Sequence, residues 1–219
     1  MESGPRIRMV LPWIVISMLS EGEGEDLRIA AVALVSSEAP KDPKAFVRED
    51  AIAHPVMRQA VLKATPSLKD AYPLLGGWVL EHRGFVLFDR FGTQLRALEK
   101  EFQRYELPPL SFAQSPTLEV YRSIAPKARA RPTVERLIQE NLGMILSRGR
   151  DSITAMWLKG EVTGALEALR QDAIGLCMLL DLGLKRGTVK LDGAPIPVDW
   201  DRRLRSAVRA GSATFGGPR

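Results

Sequence analysis

The runs WIVISM at 13–18 and LRIAAVALV at 27–35 are apolar and rich in Ile and Val, and they flank the acidic, glycine-broken SEGEGED at 20–26. Short β-branched runs bounded by turn residues have the pattern of buried strands. The two are therefore expected to be neighbouring strands of a central sheet, with the acidic segment as their connecting loop. The first run lies within Met9–Leu19 (MVLPWIVISML), which follows Arg6 and Arg8 like the apolar part of a signal peptide. It falls short of the roughly 20 residues that cross a bilayer, and no small-residue cleavage pattern follows, so the strand reading is preferred. No other segment approaches a spanning length. The expectation is a cytoplasmic protein with no membrane partner.

Downstream, Pro40, Pro43, Pro55, Pro66 and Pro73 break residues 36–76 into short pieces. His54–Ala64 is the longest helix candidate among them, which predicts a proline-rich helical excursion before the chain returns to the sheet. Phe85-Val86-Leu87-Phe88 reads as a buried strand, and Leu95, Leu98, Phe102 and Tyr105 then form one helical stripe. Thr117–Tyr121 suggests a further short strand, Pro126–Pro132 a basic connector, and Val134–Leu142 a helix closed by Gly143. The strongest helical pattern is Val162–Leu182, with Ala165, Leu166, Leu169, Ala173, Leu176, Cys177 and Leu180 on one face and Asp172 at its edge. Beyond Gly183, Thr188–Leu191, the Asp192-Gly193 pair and Ile196–Trp200 predict a small hairpin. Strands that come first and then alternate with helices make the fold class α/β, a mixed central sheet flanked by helices. The expected organisation is one domain over 1–200 and an arginine-rich tail, mobile at its end, over 201–219.

Composition narrows the chemistry. The chain has 219 residues, with Lys+Arg 31 against Asp+Glu 26, one cysteine and two histidines. One cysteine excludes an internal disulfide, and with two histidines it cannot supply a Cys₄ or Cys₂His₂ zinc site. Neither a Gly-x-Ser-x-Gly elbow nor a phosphate-binding Gly-x-x-x-x-Gly-Lys-Ser/Thr loop occurs, and Gly76-Gly77 is too short to read as either. His54 and His82 have no ligand companion at useful spacing and are read as surface or capping residues. Cys177 is read as a small hydrophobe in the core.

The order of these parts, with the segments Ser115-Pro116-Thr117-Leu118-Glu119, Val134–Gly143, Ala155–Val162 (AMWLKGEV), Leu169-Arg170-Gln171-Asp172 and Pro195-Ile196-Pro197-Val198-Asp199-Trp200, resembles the RNase H-like 3′–5′ exonucleases of the DEDD superfamily, most of all their bacterial helicase-associated members. The likeness covers most of residues 10–200. It implies an RNase H-like sheet and a pocket between the opening strand and the last long helix. In that family two divalent cations about 3.5–4 Å apart activate water, held by hard carboxylate oxygens.

The resemblance also fixes where those carboxylates belong. An Asp-x-Glu pair on the opening strand falls on Ser17 and Leu19, and the third acid falls on Gln94. The positioning tyrosine falls on Ala168 and the fourth acid on Asp172. Only Asp172 keeps an acid. It is either a relic of a metal site or a partly exposed residue flanking the apolar stripe, and the second reading is preferred. Asp89 ends a predicted strand and could approach Asp172, although an aspartate there commonly caps a helix. Glu21, Glu23, Glu25 and Asp26 could supply another acid, but a glycine-broken acidic loop is ordinarily solvated.

Positive charge clusters at Arg122, Lys127, Arg129 and Arg131, at Arg148 and Arg150, and at Arg202, Arg203, Arg205 and Arg209. Such clusters neutralise phosphates, and without interleaved aromatics they bind with little sequence selectivity. The leading expectation is a catalytically degenerate exonuclease-like domain, without a cofactor, that binds DNA or RNA or a nucleoprotein partner. One alternative is an active nuclease holding Mg²⁺ or Mn²⁺ on Asp89, Asp172 and an acid of the 21–26 loop. The other is a protein-interaction subunit of a helicase- or nuclease-containing assembly.

Overall fold

Strand β1 (Trp13–Glu21) is apolar on both sides of its pleat because both of its sides are covered: Val15 and Leu19 on one face, and Ile16 and Met18 on the other, are all buried. The computed structural model describes residues 13–22, 26–37, 55–61, 84–88, 93–104, 106, 117–129, 131–146 and 150–203. Within them β1 lies at the centre of a five-stranded mixed sheet with β2 (Arg28–Ser37), β3 (Pro55–Val61), β4 (Gly84–Leu87) and β5 (Thr117–Glu119), in the order β3-β2-β1-β4-β5. β1 pairs antiparallel with β2, and β2 antiparallel with β3. On the other side β4 runs parallel to β1, and β5 parallel to β4. The two opening runs are thus neighbouring strands, as their composition predicts.

Among the described residues the helices α1 (Thr93–Arg104), α2 (Val120–Ile124), α3 (Val134–Leu142), α4 (Arg150–Leu158) and α5 (Val162–Arg186) accompany the sheet. The hairpin β6 (Thr188–Leu191) and β7 (Ala194–Pro197) follows. α5 packs on β1 and β2, and its remaining sides meet α3, α4 and β6. Val15, Leu19, Ala31 and Ala33 of the sheet share one core with Ala165, Ala168, Leu169, Leu176 and Leu180 of α5. Ile16, Met18, Val32, Ala97 and Leu98 are buried outside that core, which puts α1 on the opposite face. The chain is therefore a mixed α/β protein.

Three sequence expectations are corrected. Residues 55–61, expected within a helix, form edge strand β3, whose seven residues pair in register with Ala31–Ser37. Pairing along the otherwise open edge of β2 outweighs the helix propensity of Met57, Arg58, Gln59 and Ala60, and Pro55 suits the first position of an edge strand. Thr117–Tyr121 is a strand only as far as Glu119, with α2 starting at Val120. The long helix does not stop at Gly183 but runs on to Arg186, where Gly187 caps it at φ +67°. Gly183 is glycine for another reason: a Cβ there would lie 2.2 Å from the ring of Trp200.

The hairpin forms as read. Asp192 (φ 56°) and Gly193 (φ 71°) both adopt left-handed backbone, which a two-residue primed turn requires. α3 also forms as read, and Thr133 Oγ1 caps it by accepting from the Arg136 amide while Gly143 at φ +65° ends it.

Candidate functional site

Ser17 stands between Val15 and Leu19 on the strand face that meets α5, since alternate residues of a strand share a face. Its side chain is 0% exposed, and its hydroxyl makes no hydrogen bond among the described residues. Ala168 and Asp172, one helical turn apart on α5, are both buried. The fold therefore gathers Ser17, Leu19, Ala168 and Asp172 onto the elements that bound one buried seam between β1 and α5.

Asp172 corrects the sequence reading. It is 0% exposed, not partly exposed at the edge of a stripe. A helical wheel predicts one buried face, whereas α5 is enclosed by the sheet on one side and by α3, α4 and the hairpin on others, so positions beside the stripe are buried too.

Gln94, at the start of α1, reaches the same stretch of β1 from elsewhere. Its Nε2 donates to the Met18 carbonyl at 2.9 Å and to Ser20 Oγ at 3.3 Å. This is a cross-link between residues more than seventy apart in sequence, and it needs an N–H donor. A carboxylate at position 94 would face the Met18 carbonyl with no proton to share. The residue sequence reasoning classed as a lost acid thus has a structural task of its own.

The donor set fits a two-metal site poorly. Of Ser17, Leu19, Gln94, Ala168 and Asp172, one carries a carboxylate, and hard divalent cations need several oxygens. Among the described residues, no group of three or more His, Cys, Asp or Glu is arranged to hold a metal ion. Asp89, Glu23 and Glu25 lie outside the described residues, as do His54, His82, Arg148, Arg205 and Arg209; Asp26 is exposed.

A second constellation lies where the connector after α2 meets the chain after β7. Trp200, 1% exposed, donates from Nε1 to Ser123 Oγ at 2.7 Å, and Ser123 Oγ donates to the Val120 carbonyl at 2.7 Å. Lys127 Nζ donates to the Pro197 carbonyl at 2.7 Å. Arg203 pairs with Asp199 at 2.9 Å. Partial burial pushes the Asp199 carboxyl up, but the hydrogen bond and charge of Arg203 and the charge of Lys127 together hold it below its ordinary value. Arg129, Arg131 and Arg202 are exposed around this junction, and Arg122 pairs with Glu119 at 2.6 Å. The closing Trp200 is visible in the sequence as part of the Pro-Val-Asp-Trp segment. Its partner Ser123 carries no sequence signal, being one serine among many.

Cys177 is buried as expected, and burial first, then the charge of Asp181, pushes its thiol up to about 12.

These elements define a mixed α/β protein with a buried β1–α5 seam and a basic, hairpin-bearing end. No protein-family model matches the chain, and no curated protein matches it. Among the described residues, no helix is long and apolar enough to cross a membrane.

Proposed function

We infer that the chain is a catalytically degenerate 3′–5′ exonuclease-like domain, built on an RNase H-like scaffold, that binds nucleic acid without two-metal hydrolysis. The observation that carries this reading is the burial of Asp172, the single acid kept at the family's metal-binding positions: a carboxylate with 0% exposure is out of reach of a phosphodiester. Support for the scaffold comes from the sheet order β3-β2-β1-β4-β5, an antiparallel meander followed by two parallel strands, with the long helix α5 lying on the opening strand. Support for degeneracy comes from Gln94, whose amide is committed to the Met18 carbonyl. The same burial weighs against a metal site rebuilt from Asp89, Asp172 and a loop acid.

The test is incubation of the purified protein with end-labelled single- and double-stranded DNA and RNA in Mg²⁺ or Mn²⁺, with binding measured in parallel. The expected result is binding that weakens steeply as salt rises, with intact substrate. Processive 3′–5′ degradation that is abolished by Asp172→Asn would overturn the degenerate reading. Absence of binding at low salt would overturn the nucleic-acid reading and favour a protein-interaction subunit.

A further inference from the structure

Residues 120–132 contain Arg122, Lys127, Arg129 and Arg131 and no acid. In the folded chain Lys127, Arg129 and Arg131 are exposed, whereas Ala128 is half-buried and Pro132 is buried. Two hydrogen bonds pin this connector to a segment some seventy residues later, Lys127 Nζ to the Pro197 carbonyl and Trp200 Nε1 to Ser123 Oγ. That later segment carries exposed Arg202 and Arg203. Of its two acids, Asp199 is answered by Arg203 and by the charge of Lys127, and the exposed Asp201 leaves the five cations Lys127, Arg129, Arg131, Arg202 and Arg203 in excess at the junction.

We propose that the junction of the 125–131 connector with the 197–203 segment is one composite phosphate-backbone site, in which Arg129, Arg131 and Arg202 contact a single nucleic-acid strand while Lys127 and Trp200 hold the two halves together. The proposal rests on the nucleic-acid reading above and adds where the strand lies. A nucleic-acid strand suits the site better than an acidic peptide. Its three arginines are spread over two chain segments, which suits a strand whose phosphate charges repeat at every nucleotide, and arginine forks bind phosphate oxygens bidentately. The described junction has no exposed aromatic to select a base, so binding there follows charge and not sequence.

The probe is a fluorescently labelled single-stranded thymidine oligomer, with the affinity of the full chain measured across a salt series. For single strands the slope of log K against log salt falls by about 0.7 for each phosphate that the protein no longer neutralises. Arg129→Gln, Arg131→Gln and Arg202→Gln are each expected to lower the slope by about 0.7, and the triple variant by about 2. The control is Arg96→Gln with Lys100→Gln on α1, across the sheet from α5, which is expected to leave the slope unchanged. Thermal unfolding of each variant establishes that it is folded. If the parent protein binds and the triple variant keeps the full slope, the composite site is wrong while the nucleic-acid reading stands. A reduced slope confined to the Arg129 and Arg131 variants, with Arg202 silent, would equally overturn its composite nature. Failure of the parent protein to bind the oligomer at low salt would instead remove the underlying reading.

Discussion

Gly183 makes room for the tryptophan that closes the fold. A methyl there would sit 2.2 Å from one ring carbon of Trp200 and 2.4 Å from another, far inside van der Waals contact, and the ring is fixed at its other end by the hydrogen bond to Ser123. Gly183→Ala is therefore expected to destabilise despite the better helix propensity of alanine. The overpacking cost of about 1–3 kcal/mol exceeds the roughly 1 kcal/mol that alanine gains over glycine in a helix. Urea unfolding followed by tryptophan fluorescence measures it, and an unchanged or raised midpoint would mean the ring can move aside. Cys177, on the same helix, carries a pH dependence. Its folded thiol titrates near 12 against an ordinary value of 9.0, first because it is buried and then because Asp181 is near. A raised folded value means that the stabilising difference is intact below pH 9 and is lost as pH climbs from 9 toward about 12, at up to about 1.4 kcal/mol per pH unit. Unfolding free energies measured from pH 8 to 10.5 are expected to fall more steeply for the parent protein than for Cys177→Ala. Parallel profiles would show that the thiol titrates normally.

The two-stranded hairpin has its β6 edge closed by another element. On the β6 side, Asn141 of α3 acts like a piece of a third strand: its Nδ2 donates to the Lys190 carbonyl at 2.7 Å and its Oδ1 accepts from the Lys190 amide at 2.7 Å. Because Lys190 bonds outward, its partner Pro195 occupies a position that needs no N–H, and Pro197, two residues on, faces the same way. The turn is tied down as well, by Glu140 accepting from the Gly193 amide at 3.0 Å and by the ion pair of Arg136 with Asp192. Asn141→Ala is expected to cost about 1 kcal/mol, since it removes two hydrogen bonds to Lys190 whose exposed groups water can then solvate. Native-state hydrogen exchange should speed selectively at the Lys190 amide, with the sheet amides of β1 and β2 much less affected; uniform acceleration would mean that the hairpin is no separate unit. At this scale the sequence was legible where the determinants are local. Asp192-Gly193 dictates a turn whose two residues need positive φ, and Gly143 and Thr133 bracket a helix they touch directly. It was illegible where a distant edge decides. Met57-Arg58-Gln59-Ala60 favours a helix until β2 offers hydrogen bonds, and Gly183 looks like a helix stop until Trp200 packs on it. For the site residues, the sequence did not indicate that Asp172 would be buried or that Gln94 would bond β1, because both depend on neighbours from other elements.

For the molecule as a whole, Asp172 is buried while the arginines of the basic junction are exposed, so the nucleic-acid binding proposed above does not depend on that carboxylate. Asp172 is buried on α5, while Arg129, Arg131 and Arg202 are exposed around the Trp200–Ser123 contact. A carboxylate enclosed in the seam cannot touch a strand lying on the arginines, so Asp172→Asn is expected to leave oligonucleotide affinity and its salt slope unchanged. The chain's response to metal follows from the same enclosure. A ligand present at a hundredfold excess over its dissociation constant stabilises the native state by about 2.7 kcal/mol. In a domain of this size that raises the melting temperature by roughly 5–11 °C. A seam with one enclosed carboxylate offers Mn²⁺ no such gain, and the expected shift in 1 mM Mn²⁺ is within about 1 °C of that in a monovalent salt of equal ionic strength. A manganese-specific rise of several degrees that disappears in Asp172→Asn would mean that the seam opens and gathers further acids around the ion, and the account of a nuclease scaffold without its metals would fail with it.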